Sequence, residues 1–407
     1  MNAPPSDTGM SPGLPRTIYL LSLCNALLYT CASLLITMSA LIGYALAEDK
    51  RLATLPMALQ FLSVLVGSVP ASLAMGRFGR KAGFLFAGCI GVAGSLLALH
   101  ALQQQSLSLF ALASCCFGLF TAFANYYRFT AAEIVPPARK SVAISMVMAG
   151  GVIAAFIGPN LARLASSLFE SQPFAGPFAV LVAVYLTTMV LIAFADLPPP
   201  PPKRAGSDKG RPILDIVAQP VFVIAVTCQM LGYATMNFVM ASTPLAMRLH
   251  AFDFHATAFV IQWHVFAMFA PSFVTGHLIR RFGMVPVLGT GALLGILTVL
   301  VNLHGKTLAH FTLALVLLGV CWNFLYVGGT TLMTEAYREE EKSRAQAAND
   351  LMVFSLVSLT ALSAGTVHHV FGWRTVNMGV LPFLVIALAS VFWLRRQQKT
   401  GVYPQTG

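Results

Sequence analysis

Apolar runs about as long as a bilayer is thick recur twelve times along this chain, and no other feature limits its folding so strongly. A helix needs roughly 20 mostly apolar residues to cross the hydrocarbon core. Runs of that kind fall near 17–46, 52–75, 82–101, 106–132, 141–166, 174–196, 219–247, 256–279, 284–303, 307–334, 345–368 and 374–394, separated by short charged or Pro/Gly-rich breaks. With 57% hydrophobic and 10% charged residues, the chain has too little polar surface to coat a water-soluble globule. In hydrocarbon every backbone N–H and C=O needs a partner within the protein, and continuous apolar runs meet that demand as helices. The expected fold class is all-α integral membrane with twelve transmembrane helices. The first run exceeds the roughly 7–15 residues of a cleaved leader's apolar core, so residues 1–16 are expected to stay attached as a tail.

Lys and Arg set the expected orientation. Of the 25 basic residues, 18 fall on one set of helix ends: Arg16, Arg77, Arg80, Lys81, Arg139, Lys140, Lys203, Arg204, Lys209, Arg211, Arg280, Arg281, Arg338, Lys342, Arg344, Arg395, Arg396 and Lys399. The opposite loops carry Lys50, Arg51, Arg163, Arg248, Lys306 and Arg374, and Arg128 lies within a run. Both termini are therefore expected in the cytoplasm, with the chain a multi-pass protein of the cell inner membrane. The net charge of +11 follows from this bias, which points to the lipid bilayer as a partner and away from nucleic acid.

The longest break, LPPPPPKRAGSDKGRPI, begins at Leu197, where a proline run ends a helix and a Gly/Lys/Asp-rich stretch follows. It divides the chain into a tail (1–16), a first bundle (17–196), a linker (197–218), a second bundle (219–394) and a closing tail (395–407). Gly79 in MGRFGRK and Gly283 in IRRFGMV stand 204 positions apart. Glu133, Lys140 and Ser141 match Glu335, Lys342 and Ser343 at an offset of 202, so two independent matches argue for duplication. Two six-helix pseudo-repeats suit rocking about a site near the bilayer midplane.

These loops resemble the signature of the major facilitator superfamily, a Gly, three residues, then Asp-Arg-any-Gly-Arg-Lys between helices 2 and 3. SLAMGRFGRK supplies Arg77, Gly79, Arg80 and Lys81, with Ser72 in place of the first Gly and Gly76 in place of the Asp; the second half keeps Gly276, Arg281 and Gly283, with Arg280 in place of the Asp. The resemblance covers essentially the whole chain and implies a transporter working by alternating access. It also implies a conformational latch in which Arg77, Gly79, Arg80, Arg281 and Gly283 work with Glu133 and Glu335, with simple positive-inside anchoring as the alternative. The fifth run resembles the family's Gly/Pro-rich helix through Gly150, Gly151, Gly158 and Pro159, while Ala154 and Ala162 depart from it. Close helix packing explains those small residues equally well.

Polar and aromatic side chains inside the runs are the candidate solute ligands, because polar groups in hydrocarbon are costly. Gln229, Tyr233 and Asn237 recur at helical spacing on one face of the seventh run. Trp263 and His264 lie in the eighth; Trp322, Asn323 and Tyr326 in the tenth; Asn25 and Tyr29 share a face of the first. Such a lining suits stacking and hydrogen bonding to a planar heterocycle. Arg128 is expected to snorkel to the near end or to pair with Glu133, with contact to an anionic solute group as the alternative. Protons are the candidate coupling ion, with His264 deep in its run and Asp350 nearer an end as possible carriers, and facilitated diffusion is the other option.

Enzymatic chemistry is not expected. The seven cysteines lie inside predicted helices without Cys-x-x-Cys spacing, and no phosphate-cradling loop is present. His250, Asp253 and His255 form too weak a pattern for a metal, so neither metal nor cofactor is expected. The chain therefore reads as a monomeric carrier of a small organic solute, a neutral or weakly anionic aromatic metabolite or vitamin such as a flavin, with import favoured. A drug or metabolite efflux antiporter of the same fold is the first alternative, and a non-transporting membrane sensor the second.

Overall fold

The computed structural model describes residues 14–48, 52, 55–166, 175–199 and 210–399. Most of both tails, Lys50 and Arg51, and the linker residues Lys203, Arg204 and Lys209 lie outside the described residues, as does the side chain of Pro159.

Among the described residues twelve helices are long and apolar enough to cross a membrane. They are α1 (Arg16–Leu46), α2 (Leu55–Phe78), α3 (Arg80–Gln103), α4 (Leu107–Ala124, resuming as Tyr127–Glu133), α5 (Lys140–Ala149 and Gly151–Ser166), α6 (Ala175–Ala193), α7 (Pro220–Leu249), α8 (Phe254–Phe269 and Ser272–Phe282), α9 (Met284–His304), α10 (Leu308–Met333), and α11 (342–371) and α12 (373–399) within Lys342–Lys399. The predicted runs overlie these helices. The clearest difference is at the end of α12, where Arg395, Arg396 and Lys399 continue the helix beyond its apolar stretch. Basic side chains near a helix C-terminus oppose the partial negative charge there.

Helix junctions have local causes. At Gly79 (φ 91°) and Gly283 (φ 85°) the backbone enters a region that side chains disfavour, and the two glycines make the same turn into α3 and α9. Gly372 (φ 78°) does likewise between α11 and α12. Pro271 interrupts α8, because its ring removes a backbone donor.

The two six-helix pseudo-repeats meet along α2 with α11 and along α5 with α8. Their outer surfaces are apolar: Val66, Phe86, Leu112, Val190, Leu300, Leu313, Val385 and Phe392 are all exposed, as a lipid-facing belt requires. Inside, small residues let backbones approach. A Cβ at Gly118 in α4 would press on Gln60 O of α2, and one at Gly319 in α10 would stand 2.7 Å from His264 O of α8.

Close approach at Gly118 makes a direct prediction. Gly118→Val should lower the melting temperature of the detergent-solubilised protein by several degrees, reflecting about 1–3 kcal/mol of overpacking. Gly379→Ala, where nothing lies within 4 Å, should leave it unchanged or slightly raised.

Candidate substrate-binding site

One end of the bundle gathers the start of α1, the α2–α3 turn and the end of α6: Thr17 Oγ1 donates to Asp196 O (3.4 Å) and Lys81 Nζ to Ala193 O (2.7 Å). At this basic end the pseudo-repeats are tied together. Ser72 Oγ of α2 donates to Ser343 O of α11 (2.6 Å), and Ser141 Oγ of α5 donates to Gly276 O of α8 (3.1 Å). The four positions are related by the internal offsets, so one contact is used twice. A Cβ at Gly276 would lie 2.6 Å from Ser141 O, which explains the small residue there. Ser72, where the family signature has Gly, stays small and adds a bond across the seam.

Charge is distributed unequally over this scaffold. Arg80 is buried and grips Glu133 through Nη2 (2.6 Å) and Nε (3.2 Å). Its Nη2 also reaches Gln346 Oε1 of α11 (2.5 Å), and Lys342 Nζ stands 3.5 Å from Glu133 Oε2. Arg77 and Arg281, expected to share this work, are instead exposed, each guanidinium lying 5.3 Å from the ring centroid of the following phenylalanine, Phe78 or Phe282. Glu335 makes no ion pair within 4 Å among the described residues. The reason is positional: the residue 204 after Arg80 is Met284, so the second repeat has no buried arginine to offer Glu335.

Arg128 corrects a second expectation. It neither snorkels nor pairs with Glu133; its Nη2 donates to Asp350 Oδ1 of α11 at 2.9 Å, with both side chains buried. The guanidinium lies 4.4 Å from the Tyr326 ring and 4.7 Å from the Phe129 ring. Asp350 Oδ1 also accepts from Asn349 Nδ2 (2.8 Å), Asn349 Oδ1 accepts from Gln229 Nε2 (2.8 Å), and Gln229 Oε1 accepts from Thr330 (3.1 Å). A continuous polar layer thus joins α4, α11, α7 and α10.

Beside that layer the aromatic candidates come together. Trp322 stacks on Tyr326 at 4.9 Å between centroids, and Tyr233 meets Trp322, Tyr326 and Phe354 edge-on at 5.7, 5.2 and 5.9 Å. Phe269 links Trp322 (5.5 Å) to Tyr29 of the first repeat (4.4 Å). Only Tyr29 and Tyr233 in this group are half-buried; the other rings are sealed.

The remaining candidates sit elsewhere or are already engaged. Trp263 is 41% exposed on α8, touching Phe259 and Phe266 rather than the cluster. His264 is buried, its Nδ1 against Leu315 O of α10 (2.7 Å). Asn25 donates to Val147 O (3.1 Å), Asn237 to Val357 O (3.2 Å), and Asn323 to Met268 O (2.7 Å) and Ser272 Oγ (2.5 Å). Interhelical bonding claims these amides. Phe269, Phe354, Asn349 and Gln346 were not singled out, although the offset of 204 that pairs Asn25 with Gln229 and Tyr29 with Tyr233 was a usable signal for the centre. No cluster of three metal-ligating side chains occurs among the described residues.

Comparison with known proteins places this geometry. The pattern of the Major Facilitator Superfamily matches residues 21–250 and 228–407. The chain belongs to that superfamily. It is 34% identical over 379 residues to the riboflavin transporter RfnT of Brucella anthropi, covering 92% of this chain and 95% of the relative. It is 26% identical to the uncharacterised MFS-type transporter YddS of Bacillus subtilis, over 89% and 88% of the two chains. Among solved structures, the Escherichia coli fucose:proton symporter FucP superposes with a TM-score of 0.72 at 15% identity, over 92% of this chain and 98% of that one. A bacterial homologue of ferroportin in its outward-facing state gives 0.71 at 12% identity, over 93% and 99%. The protein is thus a multi-pass membrane transporter of a small molecule, from a family of carriers rather than enzymes.

The basic-end cluster makes the second prediction. In a background without the seven native cysteines, Glu133→Gln should speed labelling of a cysteine placed at Ser343 several-fold, because Arg80 and Lys342 lose their shared carboxylate. Arg77→Glu and Arg281→Glu should leave the labelling rate unchanged.

Proposed function

We propose that this transporter carries a flavin-like planar heterocycle, riboflavin or a close relative, into the cell. The observation that supports this most is the ring cluster in which Tyr29 of the first repeat and Phe269, Tyr233, Trp322 and Tyr326 of the second converge between the pseudo-repeats. Offset and edge-on aromatic surfaces are suited to a flat, weakly polar ring system. The 34% identity with a riboflavin transporter adds independent support for that solute class.

In this reading both termini face the cytoplasm of an inner-membrane protein, the bundles 17–196 and 219–394 rock about the linker 197–218, and the tight basic end is the cytoplasmic gate. Arg80, Glu133, Lys342 and Gln346 hold that gate shut until solute enters beside Tyr29 and Tyr233. The bundles then part at the basic end and release the solute inward.

Uptake tests this directly. Expression in a bacterial strain that neither makes nor imports riboflavin should restore growth on low external riboflavin and saturable uptake of the labelled vitamin. Trp322→Ala and Tyr326→Ala should each reduce uptake or binding about tenfold or more, the scale of a lost ring stack, while folded protein remains in the membrane. Faster loss of riboflavin from preloaded cells, without uptake, would reverse the direction assigned here.

A further inference from the structure

The polar layer under the aromatic cluster contains two buried atoms that its own bonds leave unused. Asp350 Oδ1 accepts from both Arg128 and Asn349, while Asp350 Oδ2 has no hydrogen-bond partner; Arg128 gives Nη2 to the carboxylate, while its Nε–H has none. The Tyr126 hydroxyl, which donates to Ser68 O at 3.2 Å, also lies beside the Asp350 carboxyl. Trp322 Nε1, in the cluster above, is a third buried donor without a partner. Leaving a donor and an acceptor unmet on charged, buried groups is destabilising, and each such group calls for a partner that the protein's own bonds do not supply.

Their arrangement narrows the ligand. Arg128 belongs to the first repeat and Asp350 to the second, and Arg128 lies on the face of Tyr326, which stacks on Trp322. A free anion would be repelled by Asp350 and a free cation by Arg128. A neutral ligand that presents a carbonyl beside an N–H satisfies both groups and adds no charge.

We propose that Arg128 and Asp350 read the polar edge of the solute: Arg128 Nε–H donates to a ring carbonyl and Asp350 Oδ2 accepts the adjacent ring N–H, selecting planar heterocycles with an imide or lactam edge. This rests on the placement of solute against the ring cluster, and it adds a specificity rule that stacking alone does not supply. Because the two groups sit on different pseudo-repeats, the edge they recognise also bridges the seam.

The experiment compares ligands on the wild-type protein. Tryptophan-fluorescence titrations use riboflavin, lumichrome, xanthine and uracil, each with its imide N–H free and with that nitrogen methylated, together with thiocarbonyl analogues that weaken the acceptor with little change of shape. Methylation should weaken binding about 10- to 100-fold, the range for hydrogen bonds to charged groups, and thiocarbonyl substitution should weaken it in the same direction. In the double variant Arg128→Met, Asp350→Leu, which removes both charges together and so leaves neither unpaired, the methylation penalty should fall to within about threefold. If the double variant does not fold, the wild-type methyl and thiocarbonyl series decides alone. Riboflavin binding with no penalty for either change overturns this inference and leaves the flavin reading standing. Failure of riboflavin alongside a penalised xanthine or uracil overturns the flavin reading and supports the inference. Failure of every imide overturns both.

Discussion

A charge held in hydrocarbon needs a counter-charge, and Arg128 finds one across the seam between the two six-helix repeats. The pair with Asp350 is buried on both sides, and breaking such a pair by removing one partner costs about 3–5 kcal/mol. The long side chain of Arg128 thereby ties α4 to α11, although the backbones of the two repeats pack along α2 with α11 and α5 with α8. Asn349, Gln229 and Thr330 then follow, each satisfying the polar atom of the one before it, until the layer ties four helices together. The aromatic rings pack on this layer, with the Arg128 guanidinium as their charged base.

Duplication provided the scaffold, and divergence assigned the work. Gly79 and Gly283 keep the same unusual backbone, and the serine contacts across the seam recur in both repeats. Tyr29 and Tyr233 also correspond, so each repeat contributes one half-buried phenol to the centre. Arg80 has no counterpart, because Met284 occupies its place, so the grip of Arg80 on Glu133 is not repeated at Glu335. The rings of Trp322 and Tyr326 likewise weight the centre towards the second repeat.

Individual residues show why the site was only partly legible in the sequence. Tyr233, Trp322 and Tyr326 could be picked out because large polar-tipped rings rarely sit deep in a membrane helix without a reason. The amides could not be sorted the same way. Asn25, Asn237 and Asn323 satisfy neighbouring helices, which demands the same residue type as satisfying a solute. Trp263 and His264 are adjacent in sequence yet face opposite environments, one exposed and one sealed against α10. Helix rotation decides between them, and rotation is set by packing partners.

The sequence by itself determined the solvent, the twelve crossings, the duplication and the uneven distribution of basic residues, because each follows from local apolar length or from positional repetition. Only the tertiary structure decided which charges meet. Arg80 rather than Arg77 turns inward, and Arg128 reaches past the nearby Glu133 to Asp350, 222 positions away. The physical reason is that an ion pair in low dielectric depends on distances of a few ångströms between side chains on different helices. Those distances are fixed by how glycines and serines let the helices approach, not by the identity of the charges.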